Sequence, residues 1–148
     1  LNYGINFLEK CFENIDSSKV ERITHICCGY PDKIDVVNYP KAPLDSYIKL
    51  SKKLDDSIID TISIEDAHRN NDFNLFKNFS KSKIIIGLIK IANSKIETIE
   101  EIQYRISSVL KYIDKKQIIA APDCGLGHLS RSLAMKKLKI MVEAIKKI

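Results

Sequence analysis

Lys83 to Ile91 reads KIIIGLIKI, an apolar run interrupted only by Gly87 and, near its end, by Lys90. A strand with one wet face alternates apolar and polar residues. This run does not, so it reads as a strand buried on both faces, as in a parallel sheet. Three more short, Ile-rich runs flank it: VERITHICC at Val20 to Cys28, IIDTISIE at Ile58 to Glu65 and QIIAA at Gln117 to Ala121. Helical patterns fill the gaps. Tyr47, Ile48, Leu50 and Leu54 make one apolar stripe, and Phe73, Leu75, Phe76 and Phe79 a shorter one. Ile99, Ile102, Ile106, Val109 and Ile113 recur at three- and four-residue steps, and Thr98 with Glu101 supplies a capping box at their start. Leu138, Met141, Val142, Ile145 and Ile148 repeat that spacing in a last helix, and Ile5, Leu8, Phe12 and Ile15 in a first.

The order is therefore α-β-α-β-α-β-α-β-α, and strands alternating with helices make βα units on a parallel sheet. Four such units are half of an eight-stranded barrel. A leading helix without its own strand points to a cut inside a larger fold. The reading is α/β: the C-terminal half of a (β/α)8 TIM barrel, residues 1–148 forming one partial domain. A small open α/β sheet is the alternative. The one long irregular stretch, Gly29 to Pro43, holds three of the four prolines, and a loop of that length usually serves a function.

The 148 residues carry 24 Lys and Arg against 19 Asp and Glu, a net charge of +5. The lysines are spread out and interrupted by acids, which describes a solvated surface, so no nucleic-acid partner is expected. No apolar run nears the ~20 residues that cross a bilayer, so no membrane is expected either. Leu1 to Phe12 lacks the small-residue cleavage site of an export signal. The four cysteines then read as thiols or ligands in a reducing compartment, and the expected location is the cytoplasm. The chain opens on Leu and not Met, and is expected to have lost an N-terminal part.

THICCGY, residues 24 to 30, sets His25 and Cys27 two apart, a spacing that aims both side chains to one face of a strand. Together they are two metal ligands, a nucleophile with its base, or two core residues. The ends of the other strands favour the first. The second run ends in Glu65 and Asp66, the fourth in Pro122, Asp123 and Cys124, and barrel chemistry collects at that end of the strands. One His, two Cys and one Glu at a common rim suit tetrahedral zinc, and two thiolates are too soft for magnesium or calcium. Each residue alone has a structural reading: a buried Cys is usually inert, and a lone Glu after a strand usually caps a helix. Cys28 should point to the opposite face and pack. Cys11 reads as core on the first helix. His68 and Arg69 follow Glu65 closely and could bind an anionic group or relay a proton, or simply lie in a solvated loop.

Taken together, His-x-Cys at 25 to 27, Glu65 behind a strand and the run Ala121-Pro122-Asp123-Cys124-Gly125-Leu126 resemble the catalytic domain of the cobalamin-independent methionine synthase family. The resemblance covers essentially the whole chain. PDCGL is its most specific part, and HICCGYPDK and SIEDAHR look nearer the shorter bacterial and archaeal relatives. It implies a βα barrel whose zinc is held by His25, Cys27, Glu65 and Cys124. It also implies methyl transfer to the sulfur of homocysteine, from methyl-tetrahydrofolate or another donor. Glu65, an oxygen among softer donors, is the ligand expected to be displaced. Where the family carries a proton-donating histidine this chain has Ala92, which points to another methyl donor or a substitute acid, His68 being the candidate. The gap from Cys27 to Glu65 is also longer. The family's strands for amino-acid and folate contacts are absent. The expected partners are therefore the thiol, the methyl donor, and either a missing N-terminal half-barrel or a second copy. A non-catalytic zinc-binding half-barrel and a related barrel decarboxylase are the competing readings.

Overall fold

The computed structural model describes residues 2–148. Its strands fall on the four Ile-rich runs, the last reaching one residue beyond its run: β1 (Ile23–Ile26), β2 (Thr61–Ile64), β3 (Lys83–Ile89) and β4 (Ile118–Pro122). All pair in parallel, in the spatial order β1-β2-β3-β4. That order separates the two readings. A doubly wound open sheet reverses direction partway through its strand order, whereas a βα barrel adds each strand beyond the last. The chain is an arc of a barrel.

Among the described residues four helices accompany the strands: α1 (Asn2–Phe12), α2 (Ser46–Asp56), α3 (Ile99–Val109) and α4 (Arg131–Ile145). Ile62, Ile64, Ile84 and Ile86 point to the helical side and share one core with Leu54, Phe76, Ile102, Ile106, Val109 and Met141. On the other face His25, Ser63, Ile85 and Ile119 stand side by side in register. That concave face is open: Ile23, His25 and Ile119 are exposed.

The elements depart from the sequence patterns in their bounds and in their buried faces. α1 stops at Phe12, leaving Ile15 exposed, and none of its residues is fully buried. Cys11, expected in the core, is exposed: the helix touches the core through Ile5, Leu8 and Phe12, and Cys11 lies at the margin of that stripe. The stretch after β2 is a six-residue 3-10 turn, Phe73–Asn78, and not an α-helix. It is confined between the Asp72 cap and Ser80–Ser82, whose backbone N–H groups donate to the buried Asp55 carboxylate at the end of α2. Too few residues remain to nucleate an α-helix. On α2 the buried face runs through Tyr47, Ser51 and Leu54, leaving Ile48 exposed. On α4 it runs through Lys137, Met141 and Ala144, leaving Val142 exposed. α3 begins where its sequence signal places it and ends at Val109, short of Ile113, which is buried beyond the helix. Both halves of the Thr98–Glu101 capping box form, at 3.1 and 2.8 Å.

Candidate metal centre

Donor atoms of His25, Cys27 and Cys124 all lie within 4.8 Å of one another. β1 and β4 are the two outer strands of the sheet. Strand spacing alone would hold residues at their ends ~14 Å apart if the sheet were flat. Curvature brings them together. Glu65, 2% exposed, stands against one member of the group: its Oε1 accepts from the Cys27 thiol at 3.0 Å, and its Oε2 is buried with no hydrogen-bond partner among the described residues. The His25 Nδ1 is 2.9 Å from the hydroxyl of Ser63, its register neighbour on β2, which leaves Nε2 open. Three of the four sequence-derived donors thus lie mutually close, and the fourth, Glu65, stands against one of them, Cys27. Burial of the sulfur, then the Glu65 hydrogen bond, push the Cys27 thiol up to about 11. Cys28, on the opposite face as expected, is buried in the core.

Two residues that the sequence did not single out for the site hold these donors in place. The Tyr47 hydroxyl donates to the Ile26 carbonyl and accepts from the Glu65 N–H. The Asp123 carboxylate, fully buried beside Cys124, accepts from the consecutive N–H groups of Asp66, Ala67 and His68 at 2.7–2.9 Å. Burial outweighs those three bonds and raises the Asp123 carboxyl to about 7. Asp123 lies directly over Gly87, where an added Cβ would stand 2.6 Å from the Asp123 Cα. Asp66 next to it is held by both forks of Arg105, at 2.5 and 2.6 Å. A Tyr in an apolar stripe carries no sequence signal beyond core packing. Asp123 offered one: a polar residue against a candidate ligand at a strand end.

The long loop after β1 reaches across the rim. The Asp35 N–H donates to the Ala92 carbonyl and the Asp35 carboxylate accepts from the Ser94 N–H, tying the loop to the segment after β3. Tyr30 meets His128 edge-on at 5.2 Å, beyond β4. Arg69, buried, donates to the carbonyls of Ala42 and Pro43 at the end of the loop. Its role in the described structure is to pin that loop. His68 accepts the Ala92 N–H at Nε2, at 3.2 Å. Burial first, then Lys90, Lys41 and Lys137, push its pKa down to about 4. At neutral pH the ring is uncharged, with its proton on Nδ1.

The model of the family described as "Cobalamin-independent synthase, Catalytic domain" matches residues 19–147. The chain belongs to that family. The methionine synthase of Sulfurisphaera tokodaii is 30% identical over 141 residues, 94% of this chain and 36% of that protein. The methionine synthase of Pyrococcus furiosus is 31% identical over 102 residues, 68% of this chain and 30% of that protein. The solved structure of a B12-independent methionine synthase from Shewanella sp. W3-18-1, in complex with selenomethionine, is similar at 28% identity with a TM-score of 0.76. The similarity covers 99% of this chain and 43% of that one. This member of the cobalamin-independent synthase family therefore spans about a third of the length of the curated relatives it matches. Among its described residues no helix is long and apolar enough to cross a membrane.

Proposed function

We propose that this chain takes part in the zinc-dependent transfer of a methyl group to the sulfur of homocysteine, yielding methionine. The methyl donor is methyl-tetrahydrofolate or a donor of another kind. The observation that carries the reading is the donor set: one imidazole, two thiols and a carboxylate from three strand ends, three of them within 4.8 Å and the fourth bonded to Cys27. The buried, unpartnered Glu65 Oε2 is an acceptor waiting for a cation. His25, Cys27, Glu65 and Cys124 would hold the zinc. Bound there, zinc would supply a Lewis acid able to keep a substrate thiol as thiolate at neutral pH.

The chain's own groups are arranged for that chemistry. Ser63 fixes the His25 ring with Nε2 outward. The Glu65 Oε1 already sits on the Cys27 thiol proton and is placed to take it as the site loads. With both thiols ionised and Glu65 charged, the donors carry about three negative charges, which keeps an incoming sulfur electron-rich. Glu65 is the softest site's one hard donor, so it yields first to a substrate thiol. His68 has only Nδ1–H to offer as a donor, with Nε2 committed to Ala92. The Shewanella relative binds selenomethionine, an analogue of the product proposed here. Thiol ligands of this kind need a reducing compartment, the cytoplasm.

The test is metal analysis of freshly reduced protein. One zinc per chain is expected in the wild type and none in Cys124→Ser. X-ray absorption at the zinc edge should gain one sulfur neighbour when homocysteine is added. A reduced wild-type chain without zinc overturns the reading.

A further inference from the structure

The β1–β2 ladder ends one bond early. Its register runs from Ile23↔Thr61 to Ile26↔Ile64, and the Thr61 N–H donates to the Arg22 carbonyl at 3.2 Å. A parallel ladder repeats such a bond every second residue. The series therefore continues from Ser63 to Thr24, and then from the Glu65 N–H to the Ile26 carbonyl. At that last step a side chain intervenes. The Tyr47 hydroxyl donates to the Ile26 carbonyl at 2.6 Å and accepts from the Glu65 N–H at 3.0 Å. Two groups that would otherwise meet at ~2.9 Å are held apart by an oxygen atom.

The position of this insertion matters. Cys27 follows Ile26 directly, and Glu65 is the residue whose N–H is diverted, so two donors begin where the strands are spread. The Tyr47 ring cannot swing away: it is 2% exposed, and the Arg69 guanidinium lies 5.3 Å over its face. Cys27 Sγ and Glu65 Oε1 are 3.0 Å apart. Closure of the ladder would draw the Ile26 and Glu65 backbones together and shift both side chains that would hold the metal.

We propose that Tyr47 is a positioning residue for the metal centre, its hydroxyl replacing the terminal ladder bond and so setting the separation of Cys27 and Glu65. This rests on the metal reading above. Tyr47→Phe removes the oxygen and keeps the ring that fills the core. With the hydroxyl gone, the Glu65 N–H and Ile26 carbonyl can close on each other, so folding is preserved while the site is pinched.

The 148-residue chain and its Tyr47→Phe variant are compared three ways: thermal melting without metal, zinc competition against a chromophoric chelator, and the visible spectrum of the cobalt(II) form. The variant is expected to melt close to the wild type, to bind zinc about 10–100-fold more weakly, as loss of an outer-shell partner does, and to show altered cobalt bands. Wild-type zinc affinity with an unchanged cobalt spectrum overturns the proposal. So does a variant that fails to fold, because the hydroxyl would then be holding the domain and not the site. A wild-type chain that takes up neither metal overturns the metal reading itself, a result distinct from either.

Discussion

His68 is an imidazole that the fold keeps uncharged, and the sign of its effect on stability follows. Its pKa is about 4 in the folded chain and about 6.5 in an unfolded one. Below ~6.5 the unfolded chain takes up a proton that the folded chain refuses, so this contribution is full above ~6.5 and fades as pH falls towards 4. Asp55 adds a second, more acidic step. Burial raises its carboxyl, but the N–H groups of Ser82, Ser80 and Lys81 outweigh that and leave it lowered. Its contribution is present above the unfolded value of ~3.9 and is lost as pH falls through the folded one. Asp123, raised to about 7, works the opposite way over the same window, so the readout is the difference. Between pH 7 and pH 5 the urea midpoint of His68→Gln is expected to rise relative to that of the wild type, and parallel profiles would refute the assignment. The donors themselves were legible in the sequence because they sit at the ends of recognisable strands. The fixed neutrality of His68 was not: it comes first from burial and then from three lysines, Lys90, Lys41 and Lys137, set around it by the fold.

At the scale of elements, α3 was readable because its start is encoded locally, in four consecutive positions. α4 shows the opposite. Its spacing marks a helix, but its buried face is centred on Lys137, an ammonium 0% exposed that donates to the Lys90 carbonyl after β3 and to both oxygens of Glu97, each at 3.1 Å. No periodicity argument places a lysine there. Its partner Glu97 is 12% exposed and stands just before α3. The pair therefore fastens α4 to both neighbouring elements. Lys137→Met should leave Glu97 as an uncompensated buried charge and cost about 3–5 kcal/mol. Adding Glu97→Leu should recover part of that loss, read by urea denaturation of the single and double variants. A double variant no more stable than Lys137→Met would contradict the account.

The whole molecule is a curved sheet dressed on one side only. The strand order could be anticipated from four runs and their spacing, but curvature is a collective property of the sheet, and its clearest witness is Cys27 meeting Cys124 from opposite edges. Ile23 and Ile119 are exposed on the concave side, and β1 and β4 each have a neighbour on one flank alone. Unpaired strand edges beside exposed apolar surface recruit further chain. These 148 residues expressed by themselves should sediment as assemblies larger than one chain, and co-expression with the complementary segment of a relative should yield a discrete, soluble species. A stable monomer at micromolar concentration would refute this. The carboxylate of Asp123, lying over a residue without a side chain, carries one more consequence. Any natural variant that acquires a methyl group at position 87 has to move the backbone at position 123, and with it the turn that supplies three amides. These two places, remote along the chain, are bound to drift together over generations or not at all.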